Sequence, residues 1–394
     1  MDYYLNRLSN RVTFIDRRNS EFYKWLSTTP EFHIYGDDAK EKLNSNLFRL
    51  SKICPELFIH YTITTDLRVK PVGEVKIKIM AYEDYEHEIL SDYNLIKPLT
   101  LFLKETTNGL SFFFVVNHFL SDALSNGMIS NLLSGEDTNW DLYEKNHIKN
   151  FVSSKLGKKS RNNKYNLDFI KEYCELKINN SEKSRFPIRD MKLESSTSVL
   201  RHKVLRSTSD NMITAHLIKA IASSFDEYFG GEHLYIGLNQ HGREPTYSID
   251  PRYTLGWLNE IRPLIIKKSE NGYCVNDIKS RVLMSTLYGG DTNTLLASNT
   301  EYGEVGIQFP SICLNVINKK WFTGKINTQY KHKILVNDRG ACRIMHIGIG
   351  LIIDSECCDL TLDFSSLDYE EHYIRGLFYL LIENFNNSHN INFK

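Results

Sequence analysis

The sequence has few of the features that mark secreted, membrane or nucleic-acid-binding proteins. Its 394 residues include only seven cysteines, an odd number, and only nine prolines. No CxxC pair occurs, and apolar runs such as Phe112–Val116 and Ile347–Ile353 are far shorter than the roughly 20 residues of a membrane-spanning helix. Lys and Arg together number 48, as do Asp and Glu, so the net charge is zero. These absences argue against a disulfide framework, a membrane span and a broad nucleic-acid-binding surface.

The first residues, MDYYLNRLSN, lack the basic segment and apolar core of a secretory signal, so we expect a cytoplasmic protein. Cys357 and Cys358 lie in an alternating apolar stretch and are interpreted as small buried side chains. No histidine cluster with the spacing of zinc ligands is present. The sequence therefore predicts no metal site.

What is present is the composition of an ordinary globular protein: 41% hydrophobic, 12% aromatic and 24% charged residues. The length fits two domains at roughly 150 residues each. Polar stretches at 153–165 and 178–198 flank a short helix pattern at 168–177 and predict a connector. We expect domains at 1–180 and 181–394. The basic run from Lys155 to Lys164 either docks an acidic partner or simply keeps this connector soluble.

Alternating apolar residues predict strands at 57–66 and 74–82 in the first half. Two further strands follow, joined by a turn at Asn108-Gly109, and the second of them, Ser111–Val116, is apolar on both faces and should be buried. The next residues have helical spacing, with Ser121 or Asp122 as the N-cap and Gly135 as the stop.

The second half predicts a helix at 212–231, a strand at 233–239, a hairpin from 342–353 and 357–364, and a terminal helix at 370–385. Strands and helices alternate in both halves. This pattern predicts an α/β fold built from two sandwiches.

His118 and Asp122 form the most informative local pair, because they lie where the buried strand gives way to the helix. A histidine at a sheet edge can accept a proton, and an aspartate is favoured at a helix start. The alternative is a partly buried histidine beside an N-capping aspartate, because an HxxxD spacing alone is a weak motif.

The surrounding segment, FFFVVNHFLSDALSNGMISNLL, resembles the HHxxxDG core of the nonribosomal peptide synthetase condensation-domain superfamily, which includes epimerisation domains. The segment at 236–266, with HGRE at 241–244 and Gly256-Trp257, is similar to a second block of the family. The strand ICLNVINKKW at 312–321 and the closing hairpin and helix are similar to two more. These blocks follow the family's order over most of residues 40–390.

The resemblance implies two chloramphenicol-acetyltransferase-like α/β sandwich lobes in a V-shaped pseudo-dimer with a tunnel between them. It implies a free-standing condensation enzyme of nonribosomal peptide or related antibiotic biosynthesis. The acyl or aminoacyl donor would be a thioester on the phosphopantetheine of a carrier protein, and the acceptor a small-molecule or carrier-bound amine. The enzyme would bind no cofactor of its own.

The resemblance assigns catalysis to His118 and a structural role to Asp122, which needs an arginine partner. Phe58 stands where the family has an arginine, so Arg243 is the candidate partner. The alternative is that Arg243 is solvated or forms an ion pair within HGRE.

The candidates for residues that line the substrate tunnel come from the same blocks. Asn117 and Ala123 replace the first histidine and the glycine of the family motif. The others are Asn239, His241, Trp257 and Asn315.

Three alternatives remain open. Epimerisation would need an acid at the position of Asn239, and a neutral amide cannot serve unless Glu244 substitutes. An alcohol acceptor would give an ester instead of an amide. A degenerate domain that only binds carrier proteins is the third.

Overall fold

The computed structural model describes most of the chain in two compact units. The described residues are 26–29, 31–64, 68–85, 95–96, 98–151, 167–173, 197–205, 210–231, 233–240, 243, 249–288, 310–318, 334–335, 347–354, 357–366 and 369–389. The first unit comprises residues 1–157, 243–258 and 322–342, and the second comprises 158–242, 259–321 and 343–394. The boundary expected near residue 180 and the basic run at 155–164 lie outside the described residues.

The described strands are β1 (Leu26–Thr28), β2 (Phe32–Tyr35), β3 (His60–Ile63), β4 (Val69–Val72), β5 (Lys78–Ala81), β6 (Leu95–Ile96), β7 (Thr100–Thr106), β8 (Gly109–Asn117), β9 (Thr197–Leu205), β10 (His233–Gln240), β11 (Glu260–Lys267), β12 (Ile312–Asn318), β13 (Ile334–Leu335), β14 (Ile347–Ile353) and β15 (Cys357–Ser365). The main helices are α1 (Ala39–Ile53), α2 (Ala123–Ser134), α3 (Trp140–Lys145), α4 (Asp210–Phe229), α5 (Val275–Tyr288) and α6 (Glu371–His389). None of the helices in these ranges is long and apolar enough to cross a membrane.

In the first unit, the described strands form one sheet in the order β13-β1-β8-β7-β5, and β2 pairs with the other half of β8. β8 is buried from Leu110 to Asn117, which confirms the strand predicted at Ser111–Val116. A small sheet has the order β4-β3-β6. Helix α2 follows β8 with Asp122 as its N-cap and Gly135 in the left-handed conformation after its end, as predicted.

In the second unit, the described strands have the order β11-β10-β12-β14-β15-β9. β10, β12 and β14 are parallel neighbours, whereas β11, β15 and β9 pair in the antiparallel sense. The sheet forms one hydrophobic core with helices α4 and α6. The helices predicted at 212–231 and 370–385 and the hairpin of β14 and β15 are confirmed, with bounds that differ by a few residues.

The strands predicted at 57–66 and 74–82 are shorter than their apolar patterns indicated. Pro55–Phe58 form a 3₁₀-helix instead, because proline favours a first helical position, and the strand begins only at His60. Gly73 has a φ of +80°, and the next strand begins only at Lys78.

The β7–β8 turn also differs in detail from the prediction. Thr106 pairs with Gly109, so the two turn residues are Thr107 and Asn108 rather than Asn108 and Gly109. Gly109 belongs to β8, where its φ is +146° and where a Cβ atom would lie 2.1 Å from the carbonyl oxygen of Ile34 on β2. Glycine is required here because β2 approaches closely.

We predict that Gly109→Ala destabilises the fold by at least about 3 kcal/mol, because it adds a backbone clash to an unfavourable φ. Gly73→Ala is the matched control: its φ is also positive, but a Cβ atom there meets nothing within 4 Å. Urea unfolding of both variants measures the difference. Equal losses of stability would show that the contact with β2 is unimportant.

Candidate active site

His118 is presented by a tight turn at the end of β8. Asn117 is the last strand residue and is buried, and its side-chain Oδ1 accepts a hydrogen bond from the Phe119 N–H at 2.9 Å. Its main-chain oxygen accepts the Leu120 N–H, also at 2.9 Å. The Asn117 amide thus holds the turn at the position where the family motif has its first histidine.

The His118 ring is half-buried, and one of its nitrogens is held by the main chain. Nδ1 lies 2.9 Å from the carbonyl oxygen of Ser121. A carbonyl can only accept, so the neutral ring carries its proton on Nδ1 and has its lone pair on Nε2. This is the tautomer that accepts a proton at Nε2.

Trp257 packs against this histidine. The ring centroids of His118 and Trp257 are 5.3 Å apart with an interplanar angle of 38°. Phe119 meets the same indole edge-on at 5.2 Å. The imidazole is therefore oriented by a hydrogen bond at Nδ1 and by an aromatic neighbour from a distant part of the chain.

Asp122 is completely buried at the start of α2. Its Oδ1 accepts the Ser125 N–H at 2.8 Å, the usual hydrogen bond of an N-capping side chain. Its Oδ2 accepts the Leu258 N–H at 2.9 Å. A buried carboxylate with only two neutral donors would remain poorly compensated, so a cation is needed.

Arg243 supplies that cation. Its Nη1 and Nη2 donate to the two carboxylate oxygens of Asp122, each at 2.8 Å, in a bidentate pair. Burial by itself raises the pKa of Asp122, but the charge of Arg243 and the hydrogen bonds from Arg243, Ser125 and Leu258 outweigh burial and hold the pKa below its ordinary value of 3.8. Phe58, which stands at the family's arginine position, is fully buried.

Ser125 joins this ion pair to Gly256. Its hydroxyl accepts from Arg243 Nη2 at 2.7 Å and from the Gly256 N–H at 2.9 Å, and it donates to the Gly256 carbonyl at 2.8 Å. One donor and two lone pairs are thereby used in full. The sequence places Ser125 one turn into the helix, but nothing local indicates that it contacts a residue 131 positions away.

Residues 249–258, here named the clasp, also contact residues 146–148. Asn146 Oδ1 accepts the Asp250 N–H at 2.7 Å, and the Asn146 carbonyl accepts the Thr254 hydroxyl at 2.8 Å. Ile148 packs so closely on Gly256 that a Cβ atom there would lie 2.2 Å from Ile148 Cδ1. Through the clasp, Trp257 packs against His118 and Leu258 donates its N–H to Asp122.

The structure brings six of the predicted site residues together in the first unit: Asn117, His118, Asp122, Ala123, Arg243 and Trp257. Ala123 is the first residue of α2 and is half-buried.

Asn239 and Asn315 belong to the second unit, where they are Cα partners on β10 and β12. Asn315 is exposed. His241 lies outside the described residues.

Among the described residues, one group of three side chains has metal-ligand atoms close together, namely Cys54, Glu56 and His147. None of the three is among the site residues predicted from the sequence. Within the site around His118, the described groups suit proton transfer and hydrogen bonding.

No protein-family model and no curated protein sequence matches this chain. Its structure, however, is similar to solved condensation and epimerization domains. A variant of the starter condensation domain of rhizomide synthetase has a TM-score of 0.67 and 10% identity, covering 98% of this chain and 96% of that one. The epimerization domain from the third module of tyrocidine synthetase B has a TM-score of 0.65 and 14% identity, covering 96% and 94%.

The condensation domain of the monacolin K polyketide synthase is similar at a TM-score of 0.58 and 11% identity, covering 94% of this chain and 93% of that one. The chain therefore has the α/β fold of solved condensation and epimerization domains, which confirms the fold class that its motifs implied.

We predict that Asp122→Asn lowers the free energy of unfolding at pH 7 by about 3–5 kcal/mol, because it leaves a buried guanidinium without its counterion. The folded pKa of Asp122 is depressed, so the pair stabilises the protein above about pH 3.8 and this contribution is lost as the pH falls through the folded pKa. Urea unfolding of both proteins from pH 7 to pH 3 should show the difference shrinking in acid. A difference that does not change with pH would contradict this assignment.

We also predict that Ser125→Ala lowers the free energy of unfolding by about 2–3 kcal/mol. The substitution leaves the Gly256 N–H and one Arg243 N–H without the serine oxygen as acceptor in a buried site. Ser130→Ala is the matched control, since Ser130 is equally buried on α2 but donates only to the Asn126 carbonyl of its own helix. Denaturant midpoints compare the two variants. Equal losses of stability would contradict the prediction, because they would indicate that the contacts of Ser125 with Gly256 and Arg243 add no stability.

Proposed function

We propose that this protein is a condensation-type acyltransferase. Its donor is an acyl or aminoacyl thioester on the phosphopantetheine arm of a carrier protein, and its acceptor is an amine, so that the product is an amide. Support comes from the fold, from structural neighbours that are condensation domains of rhizomide synthetase and of the monacolin K polyketide synthase, and from the residues around His118.

The observation that carries the proposal is the hydrogen bond from His118 Nδ1 to the Ser121 carbonyl. It leaves the neutral ring with its lone pair on Nε2, which is the state that a general base needs. Asp122 and Arg243, by contrast, saturate each other and hold the loop, and we assign them no proton transfer.

In the proposed reaction, the acceptor nitrogen attacks the thioester carbonyl carbon and forms the new C–N bond. His118 Nε2 accepts the proton that the nitrogen loses. As the tetrahedral intermediate collapses, the C–S bond breaks, and the leaving sulfur takes the proton from His118, which returns the ring to its starting state. A thioester is already activated, so most of the rate comes from alignment of the two substrates together with this proton transfer.

Epimerization is the second candidate, because one structural neighbour is an epimerization domain. That reaction removes and returns a proton at an α-carbon and needs an acid or base besides His118. The family position for this acid holds Asn239, whose amide cannot fill the role, and Glu244, the acid that could substitute, lies outside the described residues. This favours condensation. The choice between an amine and an alcohol acceptor is left to experiment.

The test is His118→Ala, assayed with carrier proteins loaded with acyl and aminoacyl groups and offered amine and alcohol acceptors. We predict a loss of transfer of at least about 100-fold, the usual contribution of a general base. Intact-mass spectrometry of the carrier detects loss of the acyl group, mass spectrometry of the acceptor identifies the amide or ester product, and chiral analysis of the released group detects racemisation. His202→Ala, at an exposed position on β9, is the control and should keep full activity.

Two results would contradict the proposal. One is transfer that persists in His118→Ala, and the other is racemisation of the carrier-bound group without transfer. Transfer to alcohols alone would keep the mechanism and change the product to an ester.

A further inference from the structure

Glu56 is a buried carboxylate that the proposed reaction does not use. Only 3% of its side chain is exposed. Its Oε2 lies 3.3 Å from His147 Nε2, and its Oε1 lies 3.2 Å from Lys149 Nζ. Burial of a carboxylate is costly unless it is paired, so these two partners are needed for Glu56 to remain charged.

This cluster does not have the character of a metal site, although Cys54 completes a set of three ligand types within 4.8 Å. His147 Nδ1 accepts the Lys149 N–H at 3.2 Å, so the neutral ring carries its proton on Nε2, the nitrogen that faces Glu56. A metal would need a lone pair there. Burial also raises the pKa of the Cys54 thiol, which keeps it protonated. The cation beside Glu56 is therefore Lys149.

Residues 146–149 contact Glu56 and the clasp alternately along the chain. His147 and Lys149 contact Glu56, whereas Asn146 and Ile148 contact the clasp. Residues 146–149 thus form a bridge with Glu56 on one side and residues 250–256 on the other. Trp257 follows immediately in the chain and packs against His118.

We infer that Glu56 is a positioning residue: by pairing with His147 and Lys149 it fixes residues 146–148, which hold the clasp and so keep Trp257 against His118. The consequence for catalysis rests on the function proposed above. The consequence for the clasp itself does not, because it concerns only the structure of the first unit.

The test is Glu56→Gln, which keeps the size of the side chain and removes its charge. We expect hydrogen exchange in peptides covering 249–258 to become at least about tenfold faster, because the clasp opens locally, while exchange in α6 stays unchanged. Glu105→Gln is the matched control, since Glu105 is also paired with a lysine but is 78% exposed. It should change neither segment.

Lys149→Met is the second variant and guards against loss of folding in Glu56→Gln. It leaves the buried Glu56 carboxylate with the neutral His147 and without its cation, so faster exchange of the same segment is expected. In the transfer assay, Glu56→Gln should lower kcat more than it changes the KM of the donor, because the contact of Trp257 that it loosens is with His118.

Unchanged exchange of the clasp in both folded variants would overturn the inference. So would stoichiometric zinc in the purified protein that is lost in Glu56→Gln, because Glu56 would then be a metal ligand. If the clasp responds but His118→Ala keeps full transfer, the positioning role stands and the proposed function fails. The two conclusions can thus be told apart.

Discussion

The buried carboxylate of Asp122 is the constraint on which the rest of the site depends. A charge removed from water at the N-terminus of a helix needs both hydrogen bonds and a counterion, and the chain provides all of them. Ser125 and Leu258 donate main-chain N–H groups, and Arg243 donates a bidentate guanidinium from 121 positions away. The ion pair therefore ties the segment that follows β10 to the helix that follows β8.

The geometry of His118 follows from this pair. Asp122 starts α2 immediately after the tight turn, and Ser121, one residue earlier, presents its carbonyl to His118 Nδ1. The clasp, which donates the Leu258 N–H to Asp122, also packs Trp257 against the His118 ring. The Asp122 charge thus contributes to both the proton position and the ring orientation of His118, although it takes no part in proton transfer.

Local patterns predicted the parts of the fold that depend on local physics. The buried strand at Ser111–Val116 and the stop at Gly135 were readable because apolar runs and a left-handed glycine each have one main explanation. The hydrogen bonds of Ser125 to Gly256 and of Asn146 to Thr254 were not readable, because they join residues more than 100 positions apart. The prediction of a strand from residue 57 was wrong at its start. Pro55 begins a 3₁₀-helix there, although the residues that follow alternate between apolar and polar.

The departures from the family motif are best understood through the same ion pair. Phe58 cannot neutralise Asp122, yet Asp122 is still neutralised, because Arg243 reaches it from another segment. Asn117 lacks an imidazole, yet its amide oxygen holds the turn that presents His118. In both places the residue differs from the family motif, but the buried Asp122 is still neutralised and the turn that presents His118 is still held.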